Sequence, residues 1–240
     1  MVEKSVGTTE TDCLLAEFCE RSFLKLWSYP NPYKDDGHEL CDLLAVFIFF
    51  DQENELAEVP DKATQVLGGR WKRSVVDRQI KTAHGAERYI RSRRRIFLDG
   101  KLTMSFPLVI DHDKAILHKI IVVHGAMDAC EKASTQNIYG SLAISYAETD
   151  GGPTQPFQIE IDKRNPIHIF DSHNMPIVLA ELDTVTDFST HLDEKLRALA
   201  KFDYLSYCGE EDLLGHYLLN FDEASKRHVI GLKSMKTSTA

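Results

Sequence analysis

Four carboxylates in the N-terminal segment are of a type that, brought together, could hold a divalent cation. Asp42 opens a run of eight apolar residues, Leu43 to Phe50, and Asp51 closes it. Glu17 and Glu20 are three apart in a stretch of helical spacing, so they lie near one another on the helix. Oxygen ligands of this kind suit Mg²⁺, which keeps several of its waters. A metal held by Glu17, Glu20 and Asp42 could activate one of those waters and stabilise the charge that develops on a phosphodiester. The structural alternative is a carboxylate that caps a strand in water. An unpaired charge at the mouth of a buried strand is costly, so Asp42 has either a partner or a job.

A second feature lies just downstream. From Gly69 to Lys101 the chain carries 11 Lys/Arg against three Asp/Glu, a local charge of +8. The remaining residues hold 17 basic and 34 acidic side chains, so an acidic protein of net charge −9 wears one basic belt. Arg70, Lys72, Arg73, Arg78, Lys81, Arg91 and Arg94 are its candidate nucleic-acid contacts, able to follow a phosphate backbone. A solvated helix face is the plainer explanation of the same run. The belt could instead dock an acidic protein partner in a non-enzymatic interaction module.

Other constellations are thinner. His118 and His124 are six apart, which on a straight strand puts both on one face near Asp111, His112 and Asp113. Strand-surface histidines are the simpler account, and hydrolase chemistry there is remote. Asp171-Ser172-His173 has no triad logic, because triad members converge through the fold and not along the chain. No glycine-rich phosphate loop is present. The five cysteines are odd in number, widely spaced and form no C-x-x-C pair, which argues against a disulfide framework or a zinc site. With no apolar N-terminal h-region, they suggest a reducing cytosol.

These residues need elements to hold them. Leu43 to Phe50 reads as one continuous strand buried on both faces. A helix capped at Thr11 precedes it and stops before Pro30; Tyr29 to Tyr33 must be extended or turned. A basic amphipathic helix covers about Gly69 to His84, with a possible break at Gly85 before it resumes to Arg93. Arg95 to Asp99 reads as a short strand. Pro107–Ile110 and Ala115–Val123 read as a strand pair joined by Asp111–Lys114. Ala126–Ser134 follows as a helix, Ile138–Tyr146 as a half-buried strand, and Asp150–Pro153 as a turn. Phe157–Ile161 and Ile167–Phe170 are strands; Met175–Leu182, Asp187–Phe202 and Glu210–Phe221 are helices. This order implies a mixed α/β (α+β) protein, not a regular βαβ alternation. A soft boundary divides it into residues 1–104, with the basic helix, and 105–240, or the two form one continuous domain.

Cys19-Glu-Arg-Ser-Phe-Leu-Lys-Leu-Trp-Ser-Tyr-Pro-Asn-Pro-Tyr33, followed by Glu39-Leu-Cys-Asp-Leu-Leu44, resembles the opening of a family of uncharacterised bacterial proteins. Gly85–Arg88, Glu181–Phe188 and Gly209–Leu214 are similar to later segments of that family. Its opening in turn resembles the restriction-endonuclease-like PD-(D/E)XK fold and the nuclease-related domain. The resemblance implies a first carboxylate at Asp42 and a helical one at Glu20 or Glu17. It also implies a second acidic and lysine region at Asp51 and Gln52, with Mg²⁺ as cofactor. Two departures leave two readings: a degenerate copy that binds nucleic acid without cutting it, or a chain that turns here without a recognisable signal. Gln52 stands where a lysine would orient the attacking water, and Leu43–Phe50 holds no Gly, Pro, Asn or Asp for a hairpin turn. As one strand it would hold Asp42 and Asp51 roughly 30 Å apart and on opposite faces.

Overall fold

The computed structural model describes residues 28–44, 48–51, 76–133, 140–148 and 157–231, together with Glu17, Glu20, Arg21, Lys72 and Gln136. The expected cap at Thr11, the link 45–47, Gln52, Arg70, Arg73 and the Asp150–Pro153 turn lie outside the described residues.

The chain is a mixed α/β protein. In order it forms β1 (Tyr29–Pro30), β2 (Tyr33–Lys34), β3 (Leu43–Leu44), β4 (Ile48–Asp51), α1 (Asp77–Arg91), β5 (Ile96–Phe97), β6 (Lys119–Val123) and α2 (Ala126–Ala133). It continues with β7 (Ala143–Ala147), β8 (Gln158–Asp162), β9 (His168–Asp171), α3 (Asn174–Glu181), α4 (Val185–Lys201), β10 (Tyr204–Tyr207), α5 (Glu210–Leu219), β11 (Phe221–Asp222) and β12 (Arg227–His228). A five-stranded sheet in the order β1-β3-β4-β6-β9 is the larger unit, and β10-β7-β8 form a second sheet. The larger sheet takes β1, β3 and β4 from residues before 104 and β6 and β9 from residues after it, so both stretches share one sheet.

β6 is the centre of that sheet. Its sequence, Lys-Ile-Ile-Val-Val, is rich in β-branched side chains, and all five residues are buried. It pairs in parallel with β4 on one edge (Ile48↔Lys119 to Asp51↔Val122) and with β9 on the other (Ile120↔His168 to Val123↔Asp171). Both edges are therefore occupied, and this overturns the expected Pro107–Ile110 strand. With no edge of β6 left to pair with, that segment is irregular, and Val109 is 98% exposed.

The expected continuous strand Leu43–Phe50 is likewise corrected. β3 and β4 are separate and antiparallel, in the register Leu43↔Phe49 and Leu44↔Ile48. Ala45-Val46-Phe47 carries none of the usual turn residues, so only the pairing reveals the reversal.

Helices cover the strands. α1 runs unbroken through Gly85, turns Gln79, Ala83, Ala86, Tyr89 and Ile90 inward, and packs on β4 and β6. α3 and α5 pack on each other and on β9. α4 starts two residues earlier than the sequence pattern suggested, because Thr184 is its N-cap: the Thr184 hydroxyl oxygen accepts a hydrogen bond from the Asp187 N–H at 3.0 Å. α5 starts at Gly209, whose φ of 116° favours glycine; a Cβ there would lie 2.3 Å from Ser141 Oγ. The short strand β10 and the β11–β12 pair had no clear sequence signal. β7, expected to be half-buried, is buried over Ala143 to Tyr146 and is the central strand between β10 and β8. Among the described residues no helix is long and apolar enough to cross a membrane.

Candidate functional site

Strand polarity decides where the acidic residues go. β4, β6 and β9 are parallel and β3 is antiparallel to β4, so the start of β3 and the end of β4 lie at the same edge of the sheet. Asp42 enters β3 at that edge and Asp51 leaves β4 there. Extending the register by one step sets Asp42 opposite Phe50, with Asp51 one residue further on. Adjacent antiparallel strands hold facing Cα atoms about 5 Å apart, in place of the roughly 30 Å of a single strand. Asp42 is also fixed through its backbone: the Asn31 N–H donates to the Asp42 carbonyl at 2.7 Å. Asp171, the last residue of β9, stands at the same edge, two strands beyond Asp51.

The remaining expected ligands do not complete a cation site. Glu17 and Glu20 are helical and exposed, and Glu17 pairs with Arg21 at 2.5 Å. Among the described residues no three His, Cys, Asp or Glu side chains converge as a metal would need, so Glu17, Glu20 and Asp42 do not form a three-ligand set.

The basic belt divides into two groups. Lys72 is neutralised by Asp77 at 2.9 Å, and Arg91 by Glu87 at 2.9 Å. Arg94 forms a two-pronged pair with Asp35, lies 4.8 Å over the Tyr89 ring, and holds the Asp35 carboxyl below its usual range. These three cations serve the protein's own structure. Arg78 and Lys81 are exposed and have no ion pair among the described residues, and the same holds for Arg88, which the sequence reading did not select. The spacing Arg78, Lys81, Gly85, Arg88 sets them in one stripe on the side of α1 away from the buried face. Three-and-four spacing along the helix was the available signal for Arg88. Glu87, near the end of α1, meets Lys119 at the start of β6 at 2.6 Å. The first turns of α1, with Arg78 and Lys81, thus lie toward the edge that carries Asp42 and Asp51.

The opposite edge holds a buried polar cluster that the sequence concealed. His118 is not a surface histidine: it is 4% exposed, just ahead of β6. Its Nδ1 is 3.2 Å from His168 Nε2, and its Nε2 is 3.2 Å from Asp193 on α4. His124, its expected companion, lies beyond the other end of β6. Lys195 on α4 is fully buried and bonds to Glu210 on α5. The Tyr207 hydroxyl donates to the same Glu210 oxygen at 2.7 Å, and the Tyr146 hydroxyl donates to the Ile167 carbonyl at 2.7 Å. Burial opposes the Lys195 ammonium, yet Glu210, with Tyr146, keeps its pKa above the ordinary value.

Asp171-Ser172-His173 is a local structural device. Asp171 Oδ1 accepts from the His173 N–H at 2.7 Å, while the Asp171 N–H donates to Asn174 Oδ1 at 2.9 Å, shaping the start of α3. Burial pushes the Asp171 carboxyl up, and burial raises the Cys130 thiol to about 12, which leaves it inert as a nucleophile. Comparison with protein-family models, curated proteins and solved structures returns no match.

Proposed function

We propose that this protein is a nuclease-like (PD-(D/E)XK-derived) nucleic-acid-binding protein whose acidic edge no longer cuts. The β3–β4 register carries the reading: an acidic residue begins one strand and a second ends its neighbour at the same edge, as the restriction-endonuclease-like resemblance implies. The stripe Arg78, Lys81 and Arg88 supports it, since three exposed cations without ion pairs among the described residues are available to phosphates. Gln52 in place of lysine favours binding over cleavage.

The test is fluorescence anisotropy with a labelled DNA duplex and its single strand across a salt series, beside a triple Arg78→Ala, Lys81→Ala, Arg88→Ala variant. Affinity falls with salt, and the variant lowers the slope of log K against log[salt] by about 2 to 3 for a duplex. No binding at low salt removes the nucleic-acid role and leaves an acidic protein as the partner of the belt. Cleavage with Mg²⁺ or Mn²⁺ that Asp42→Ala abolishes shows the edge to be an active catalyst.

A further inference from the structure

The docked face of α4 differs in kind from that of α1. α1 buries Ala83, Ala86, Tyr89 and Ile90 with one polar residue, Gln79. α4 buries His191, Glu194 and Lys195 among Phe188, Leu192, Ala198 and Leu199. It also lowers Asp193 onto His118, which in turn meets His168 at the mouth of β9. We propose that this cluster is a proton-operated latch: neutral histidines hold α4 against the sheet, and proton uptake releases α4 while α1 stays in place.

Hydrogen-bond logic fixes the latched state. A carboxylate only accepts, so His118 Nε2 carries the proton that faces Asp193. In a neutral ring the His118 Nδ1 is then an acceptor, and His168 Nε2–H is the donor across 3.2 Å. The remaining His168 nitrogen, Nδ1, is buried and has no hydrogen-bond partner among the described residues, and both nitrogens of His191 are in the same position. A first proton can be held at His118 as an ion pair with Asp193 if His168 moves its own proton to Nδ1. A second sets two N–H donors against each other and cannot be accommodated in the docked geometry.

The surrounding charges sharpen this. On α4 itself, Asp193 is partly exposed and Lys195 fully buried; on β6, Lys119 is tied to Glu87 of α1. Glu210 of α5 is already taken by Lys195 and by Tyr207 of β10, with the ring of Tyr146 from β7 5.1 Å from the Lys195 nitrogen. Asp193 is the carboxylate that faces His118, while Glu194 beside it on α4 is tied to Arg197. Burial lowers His118 and His168, and it takes His191 down to about 3. All three gain protons more readily once α4 has lifted.

The experiment is amide hydrogen exchange of the intact chain at pH 6.5 and 5.5, corrected for intrinsic exchange and resolved on peptides from α4 and α1. The latch requires α4 opening to rise about fivefold for each histidine that its release returns to an ordinary pKa near 6.5, while α1 holds its protection. Equal gains in both helices, or none in α4, overturn it. A ring-nitrogen NMR spectrum at pH 7 provides a second readout. It must show Nε2–H tautomers at His118 and His168, and any other pair of tautomers overturns the hydrogen-bond chain on which the latch depends.

Discussion

Replacing Glu210 by Gln should expose how the C-terminal half tolerates a buried charge. In the native fold Lys195 is fully buried, bonded to Glu210, with its nitrogen 5.1 and 5.0 Å from the Tyr146 and Tyr207 ring centres. Without the carboxylate the ammonium either stays charged and unpaired or gives up its proton. Surrender sets the ceiling: from an unfolded pKa near 10.4, losing the proton at pH 7 costs about 5 kcal/mol. Breaking a buried pair ordinarily costs about 3–5 kcal/mol, and the two tyrosine faces offset roughly 1 of that. The expected loss at pH 7 is therefore about 2–4 kcal/mol by urea denaturation. The sign with pH follows from proton counting. The unfolded variant keeps its lysine proton up to about 10.4 and the folded variant does not, so the variant loses stability as pH falls and recovers it as pH rises. By pH 9 the ceiling is about 2 kcal/mol, and the deficit must shrink accordingly. The double variant Lys195→Met, Glu210→Gln removes the charge altogether and should recover most of the loss. A single-variant deficit under about 1 kcal/mol at pH 7, or one that stays constant to pH 9, would refute the reasoning.

Three further outcomes are expected. His191, held down to about 3 by burial, refuses a proton that the unfolded chain accepts below about 6.5, so stability drops as pH falls between those values, by up to about 1.4 kcal/mol per unit; His191→Leu should flatten that part of the stability profile. Thr184→Ala removes the α4 N-cap and should cost about 1 kcal/mol in a denaturant titration. Gly85→Ala should stabilise α1 by up to about 1 kcal/mol, since its Cβ would meet only Arg88 at 3.9 Å; duplex binding that loses its salt dependence in this variant would contradict the stripe.

Where a helix carried its own signals, it was legible. Residues 174–181, 185–201 and 210–219 were anticipated to within two residues at each end, because three-and-four apolar spacing is a local property. Strands were legible as segments but not as partners. Lys119–Val123 was recognisable from its β-branched run, yet nothing in it says that β4 and β9 take both its edges. The β3–β4 reversal was illegible for a related reason: Leu43 pairs antiparallel with Phe49, yet the sequence Ala-Val-Phe between the strands carries none of the residues that signal a change of direction. Asp42 and Asp51 could be singled out as candidates, but their common edge is a property of the register. His118 looked superficial because its burial is due to α4, a helix 67 residues away in sequence at its first residue. Arg94 looked available because its partner Asp35 lies 59 residues away, whereas Glu87, four residues before Arg91, was within reach of helical spacing.

The order of synthesis gives the sheet a particular vulnerability. β4 leaves the ribosome with Ile48, Phe49 and Phe50, but the strand that pairs with its far edge begins only at Lys119. At about 5–20 residues per second, the wait is on the order of 4 to 14 s, and β9 arrives later still. During that interval the nascent hairpin offers an apolar strand with an open hydrogen-bonding edge, the kind of surface that recruits copies from neighbouring ribosomes. Chains truncated before Lys119 never close that edge. They should depend on a holdase chaperone or collect in the insoluble fraction, whatever the stability of the finished protein.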